Sequence, residues 1–253
     1  MFIRTERSVK EFIQFYPVVA WIIIIHLVLW VITDFLHTPI GTLIDDWGTG
    51  NNYHISQGEY WRLFTSIFLH AGLMHALFNS FSLVLFGPAL EQMLGKAKFL
   101  IAYIGAGLIG NIATYFLTPT IYYAYVGASG AIFGLFGIYV FMVAFRKHLI
   151  DQANSQIIMT IFIIGLIMTF IQPGINIYAH VFGFFGGFAL APLVLTNVRP
   201  YSPWRNRRYR DDDSIQFNPN RWKKRRIPKK VYSNLLWIIL GVLVLLGLVN
   251  RLF

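Results

Sequence analysis

The sequence predicts an all-α membrane protein: a bundle of six transmembrane helices followed by a seventh at the C-terminal end. Of its 253 residues, 56% are hydrophobic and only 13% are charged, whereas soluble domains carry about 25% charged residues. The mean hydropathy is +0.57. Seven apolar stretches approach the length of about 20 residues that a membrane helix needs: 17–36, 66–87, 99–118, 127–145, 155–171, 177–197 and 231–250.

The same composition excludes several classes of protein. So many apolar residues are incompatible with a disordered chain, a collagen or a coiled coil. The absence of cysteine excludes a disulfide-rich scaffold, a cysteine nucleophile and a thiolate metal site.

Basic residues predict the orientation of the spans, because cytoplasmic loops are enriched in Lys and Arg. With the N-terminus in the cytoplasm, 19 of the 21 basic residues fall on the cytoplasmic side, and only Arg62 and Arg251 lie outside. The first apolar stretch lacks a small-residue cleavage site and is interpreted as a retained span. We therefore expect a multi-pass protein of the plasma (inner) membrane, with its N-terminus in the cytoplasm and its C-terminus outside.

The chain divides into a cytoplasmic N-terminal segment (1–16), a six-span core (17–197), a basic linker (198–230) and a seventh helix with a short outer tail (231–253). Twelve basic residues fall between Arg199 and Lys230. In a soluble protein such a block suggests nucleic-acid binding. Because this block lies between apolar segments, we expect a cytoplasmic loop on the membrane surface that contacts anionic lipid, and no nucleic acid.

Polar side chains within the apolar spans are the candidate functional residues, since such groups are costly in hydrocarbon. They occur in the second, fourth and sixth spans, which all enter from the outside under the predicted topology. All of them therefore lie in the outer half of the membrane: His75, Asn79, Ser129 and His180.

These residue types predict acyl-transfer chemistry. A serine hydroxyl becomes nucleophilic when a base removes its proton, and His180 is a suitable base for Ser129. The outer halves of the fourth to sixth spans contain no Asp or Glu, so we expect a Ser–His dyad without a carboxylate. Their reacting atoms should lie about 2.6–3.2 Å apart, or somewhat further without substrate.

An oxyanion requires hydrogen-bond donors. His75 and Asn79 are four residues apart and share one helix face, and the amide of Ser129 lies at a helix start where backbone N–H groups are unpaired. Together these groups are candidates for an oxyanion hole.

Small residues indicate close helix packing. Gly183 and Gly187 lie on the helix face that carries His180. A second stripe in the fourth span is centred about 120° away from Ser129, and the sequence leaves open which helix it faces; it comprises Gly127, Gly130, Gly134 and Gly137.

Each pattern also has a purely structural interpretation. Gly127–Gly130 can be a small-residue packing motif with a serine cap. His180 can be a hydrogen-bonded core histidine, and His75 with Asn79 can join two helices. His70 can anchor the membrane interface. A metal site built from His70, His75 and His180 is disfavoured because the His-Glu-x-x-His pattern is missing, and we expect no metal and no cofactor. The common predicted depth of His75, Asn79, Ser129 and His180 favours the catalytic interpretation over these structural ones.

The residues resemble the rhomboid family of intramembrane serine proteases, in the same order over about 60–200. The resemblance rests on short motifs: Trp61-Arg62, His70-x4-His75-x3-Asn79, Gly87 with Glu91, Gly127-Ala128-Ser129-Gly130, and Ala179-His180-x-x-Gly183-x3-Gly187. It implies that Ser129 attacks a transmembrane substrate near the outer leaflet, that His180 acts as base and then acid, and that His75, Asn79 and the Ser129 amide hold the oxyanion.

The resemblance also implies supporting roles. Phe133 would stack on the catalytic histidine, and Trp61 with Arg62 would be structural. Substrates would be membrane proteins with a locally unstable helix and a small residue before the cut, admitted past the fifth span and the loop before the sixth. One alternative class remains open, a catalytically silent relative that binds or escorts transmembrane helices. A small-solute transporter is disfavoured, because it would need charged or broken helices at mid-depth, which the sequence does not show.

Overall fold

The structure is a computed structural model that describes residues 5–36, 38–118 and 120–206. Five of its helices are long and apolar enough to cross a membrane, which agrees with a multi-pass membrane protein. A sixth apolar helix, Ser129–Phe145, has 17 residues. The predicted seventh span and residues 207–230 of the linker lie outside the described residues.

The described helices and strands follow one another in a simple order. They are α1 (Val9–Phe15), α2 (Pro17–Trp30, continued by a π-helical turn Val31–Phe35), α3 (Pro39–Gly48), β1 (Gly50–Asn51), α4 (Asn52–Ser56), α5 (Arg62–Thr65), α6 (Leu73–Leu94), α7 (Lys96–Leu117), β2 (Ala124–Tyr125), α8 (Ser129–Phe145), α9 (Gln152–Ile171) and α10 (Ile177–Val194).

Five of the predicted spans agree with the helices to within three residues. The second is wrong: the helix is α6, seven residues further along the chain than the predicted 66–87. Residues before α6 form turns that end at Gly72, whose φ is +85°, and α6 continues through Pro88 to Leu94. Hydropathy cannot show this shift, because the turn residues are as apolar as the helix.

The shift extends α6 past the buried carboxylate of Glu91. That carboxylate accepts hydrogen bonds from the backbone amides of Val18, at 3.0 Å, and Val19, at 2.8 Å. Both amides belong to the first turn of α2, whose N-cap residue Tyr16 provides no side-chain cap. Because the first amides of a helix lack partners within it, Glu91 caps α2 from a neighbouring helix.

We expect Glu91→Ala to destabilise the protein by about 1–3 kcal/mol, because it leaves buried amides without acceptors. Glu91→Gln keeps one acceptor oxygen and should therefore lose less stability than Glu91→Ala. Thermal unfolding of the purified protein in detergent measures both effects. Equal melting temperatures for wild type and Glu91→Ala would contradict the capping role.

Helix α8 lies at the centre of the bundle and contacts α6, α7, α9 and α10. Ten consecutive residues, Gly130–Tyr139, are buried. A helix that is apolar on all sides is expected in such an interior position.

Glycines bring α8 and α10 into backbone contact. A Cβ on Gly183 would overlap the carbonyl oxygen of Gly130, and a Cβ on Gly187 would overlap that of Gly134. A Cβ on Gly137 would overlap the carbonyl of Phe184. The glycine stripe of α8 therefore faces the helix that carries His180, which the sequence left open; Gly127 does not belong to this contact.

Gly187→Ala is expected to destabilise the protein by about 1–3 kcal/mol, as overpacking usually does, because the new methyl group overlaps a backbone atom that cannot move alone. Gly165→Ala is the matched control, since its Cβ would lie 3.5 Å from the Phe133 ring, an ordinary contact. The control should be neutral or gain up to about 1 kcal/mol, because alanine favours a helix interior. Thermal unfolding compares the stabilities of the two variants. Similar losses of stability in Gly187→Ala and Gly165→Ala would refute the tight backbone contact at Gly187.

The segment between α2 and α6 is held by polar contacts and by one strand pair. Strand β1 pairs antiparallel with β2, with Gly50 opposite Tyr125 and Asn51 opposite Ala124. This pairing fixes the chain just before Ser129. The segment that we predicted as a long outer loop thus supports the site from one side.

Candidate active site

Ser129 is the first residue of α8 and is half-buried. The turn before it requires glycine, because Gly127 has a φ of +129°, a conformation that other residues rarely adopt. The amide of Gly127 donates to the carbonyl of Ser66 at 2.8 Å. This turn places Ser129 at the start of α8, whose first backbone amides have no acceptor within the helix.

His180 lies in the first turn of α10, which Asn176 caps by accepting from the amide of Ala179 at 3.0 Å. Its side chain is buried. The imidazole stacks on the ring of Phe133, with centroids 4.2 Å apart and planes 19° from parallel. Phe133 is four residues after Ser129, so the two share one face of α8, and the His180 ring lies against the Phe133 part of that face.

A second contact places Ser129 and His180 at the same level. Their neighbours Gly130 and Ala179 meet in the α8–α10 contact, where a Cβ on Gly130 would lie 3.1 Å from the Ala179 carbonyl oxygen. No hydrogen bond joins Ser129 to His180, although the structure describes both residues. The predicted distance between their reacting atoms, about 2.6–3.2 Å or somewhat more without substrate, stays a prediction.

The sequence analysis missed Thr169, near the end of α9. Its hydroxyl lies 2.8 Å from Nδ1 of His180 and 2.8 Å from the carbonyl oxygen of Gly165. The search for a third catalytic group considered only Asp and Glu, as in the familiar triads. A hydroxyl in an apolar span, eleven residues before the histidine, was the available signal.

His75 and Asn79 lie in the first two turns of α6. A Cβ on Gly127 would lie 2.7 Å from Nε2 of His75 and 3.7 Å from Oγ of Ser129, so the His75 ring and the serine hydroxyl flank the same point. Asn79 is buried, and its Nδ2 donates to the carbonyl of His75 at 2.9 Å. One hydrogen of the Asn79 side-chain amide is thus engaged in a hydrogen bond within α6.

Ring contacts link His75 to His70, and His70 to His26. His70 is buried within the protein; the centroid of its ring lies 5.1 Å from that of His75 and 4.6 Å from that of His26, in α2. Over the described residues, no group of three or more His, Asp or Glu side chains is arranged to hold a metal ion. His26 was not singled out, although a histidine within the first apolar stretch was visible in the sequence.

Trp61 and Arg62 lie in the segment between α2 and α6 and contact its other residues. Trp61 stacks on Trp47 at 5.9 Å and donates to its carbonyl. The buried Arg62 side chain donates to Oε2 of Glu59 at 2.6 Å and to the carbonyls of Asp46 and Thr49. The hydrogen bond from Arg62 lowers the pKa of Glu59. These contacts hold the segment together.

The fold and the site together define a multi-pass helical membrane protein in which a serine and a histidine lie at adjoining ends of two tightly packed helices. Comparison with known proteins gives the family. A family model described as "Rhomboid domain" matches residues 57–197. The chain belongs to the rhomboid family.

Relatives in that family carry protease names. "Putative rhomboid protease YdcA" of Bacillus subtilis is 52% identical over 197 residues, which cover 77% of this chain and 96% of that protein. "Rhomboid protease GluP" of the same species is 38% identical over 144 residues, covering 57% of this chain and 28% of that longer protein. "RHOMBOID-like protein 2" of Arabidopsis thaliana is 33% identical over 197 residues, covering 77% of this chain and 56% of that protein.

Proposed function

We propose that the protein is an intramembrane serine endopeptidase that cleaves transmembrane substrates near the outer leaflet. The observation that carries this proposal is the stacking of His180 on Phe133, one helical turn after Ser129. It brings an imidazole to the helix face that carries a half-buried hydroxyl. The protease names of the Bacillus subtilis relatives also support the proposal.

In the proposed reaction, Nε2 of His180 removes the proton of Ser129 while Oγ attacks the scissile carbonyl carbon. The imidazolium then gives that proton to the leaving amine nitrogen as the peptide bond breaks. Water, activated by the same histidine, hydrolyses the acyl-enzyme and restores Ser129. The amide of Ser129, His75 and the remaining amide hydrogen of Asn79 would hold the oxyanion, and each such donor contributes about 10²–10³ in rate.

Helix length supports a site beneath the membrane surface. The 17 residues of α8 rise about 26 Å, which is shorter than the hydrocarbon core of about 30 Å. With 19 of 21 basic residues on the cytoplasmic side of the proposed topology, the Ser129 end faces outward. The protein would then reside in the plasma membrane with its N-terminus inside, and the basic linker 199–230 would attract anionic lipid by about 1 kcal/mol per basic residue.

Substrate would enter past α9. Only 17% of the apolar window of α9 is buried, against 50% for α6, so α9 is the helix most easily displaced. A substrate helix that unwinds readily would expose its carbonyls to Ser129, because a stable helix pairs its own.

Two measurements on protein reconstituted in liposomes test the proposal. The first is cleavage of a reporter with one transmembrane helix; the second is covalent labelling by a fluorophosphonate, with the modified residue located by mass spectrometry. We expect the reporter to be cleaved and Ser129 to be the residue that the fluorophosphonate labels. A protein that binds the reporter but neither cleaves it nor is labelled would be a catalytically silent rhomboid relative, and the proposal would fall.

A further inference from the structure

We propose that Thr169 is a positioning residue that fixes the tautomer of His180, holding the proton on Nδ1 and leaving the lone pair on Nε2. The inference rests on the proposed function, because only in a protease does Nε2 act as base. It assigns a neutral hydroxyl to the place that a carboxylate occupies in the familiar triads.

The hydrogen positions follow from counting donors. The Thr169 hydroxyl has one hydrogen and lies 2.8 Å from two groups, the Gly165 carbonyl oxygen and Nδ1 of His180. A carbonyl oxygen can only accept, so a hydroxyl that donated to Nδ1 would face the carbonyl with two lone pairs in contact. Both contacts are hydrogen bonds only when the hydroxyl donates to Gly165 and Nδ1–H donates to the hydroxyl.

This arrangement leaves Nε2 as the nitrogen that can accept a proton. In a neutral imidazole one nitrogen donates and the other accepts, and the partner of one nitrogen decides the state of the other. Within the described part of the chain, Nε2 has no hydrogen-bond partner. Its lone pair is therefore available to the Ser129 hydroxyl, as a general base requires.

Two helices orient the ring together. Phe133, on α8, covers one face of the imidazole, and Thr169, on α9, holds its Nδ1 edge. Thr169 would satisfy its own hydroxyl through Gly165 alone, in the i−4 bond that helical threonines commonly make. The contact with His180 is therefore not needed for α9 to fold, whereas the orientation of the His180 ring depends on this contact.

The test compares Thr169→Val, which has a similar shape without the hydroxyl, with Thr169→Ser, which keeps the hydroxyl. We expect the kcat of reporter cleavage in liposomes to fall about 10-fold in Thr169→Val, with KM unchanged, because a buried Nδ1–H then has no acceptor. Thr169→Ser should keep wild-type kcat. Thr33→Val is the matched control, since Thr33 makes the same i−4 bond, to Leu29, outside the site.

Nitrogen-15 NMR of the histidine rings gives a readout that a structural role would not move. The His180 signal, assigned by its loss in His180→Gln, should show protonated Nδ1 in wild type and a mixture of tautomers in Thr169→Val. Protonated Nε2 in wild type would overturn the proposal, as would equal losses of kcat in the Val and Ser variants. If Thr169→Val does not fold, the wild-type spectrum decides alone; it needs no turnover, so its outcome is separate from that of the proposed protease activity.

Discussion

Replacing Ser129 with alanine is expected to abolish cleavage of the reporter, with a loss of at least about 10⁴-fold, as for removal of the nucleophile from other serine proteases. Ser129 begins α8, one turn before the Phe133 ring on which His180 stacks, and the variant removes only its oxygen. Fluorophosphonate labelling should disappear together with cleavage. The rate of appearance of the cleaved reporter in liposomes measures the effect.

The matched control is Ser155→Ala. Ser155 lies in the first turn of α9, is half-buried, and within the described part of the chain its hydroxyl donates to the carbonyl of Asp151; its loss should leave cleavage unchanged. Thermal unfolding should show that Ser129→Ala folds like wild type. Persistent cleavage by folded Ser129→Ala would refute the proposed function.

His180→Ala should reduce cleavage to the level of Ser129→Ala, because the proposed reaction uses His180 as its base and assigns His75, the other imidazole near Ser129, to the oxyanion. It should also slow fluorophosphonate labelling strongly although Ser129 is present, since an unactivated hydroxyl is a weak nucleophile. The Ser129→Ala/His180→Ala double variant should be no worse than either single one, because residues that act as a unit give non-additive losses.

His148→Ala provides the control for this prediction, since His148 is exposed and lies between α8 and α9. It should retain wild-type cleavage and labelling. Labelling of Ser129 at the wild-type rate in His180→Ala would contradict the role of His180 as base. Cleavage that fell further in the double variant would show that the two residues act independently.

The difference between the predicted span 66–87 and the observed helix α6 shows that hydropathy alone does not determine where a membrane helix begins and ends. Hydropathy located five spans to within three residues but misplaced this one, because Gly72 and the turns before it are no less apolar than a helix. The capping of α2 by Glu91 was equally inaccessible, since it joins residues more than 70 positions apart.

By itself the sequence determined that the chain is a helical membrane protein, because backbone polar groups in lipid must be satisfied within each apolar segment. It also singled out Ser129 and His180 as polar groups of common depth. Only the tertiary structure decided that the glycine stripe faces α10 and that the Thr169 hydroxyl lies 2.8 Å from Nδ1 of His180. The stacking of Phe133 on His180 was implied by the family resemblance, and the structure shows it. These contacts depend on how helices distant in sequence rotate against one another, and the residue pattern of a single uniformly apolar helix does not specify that rotation.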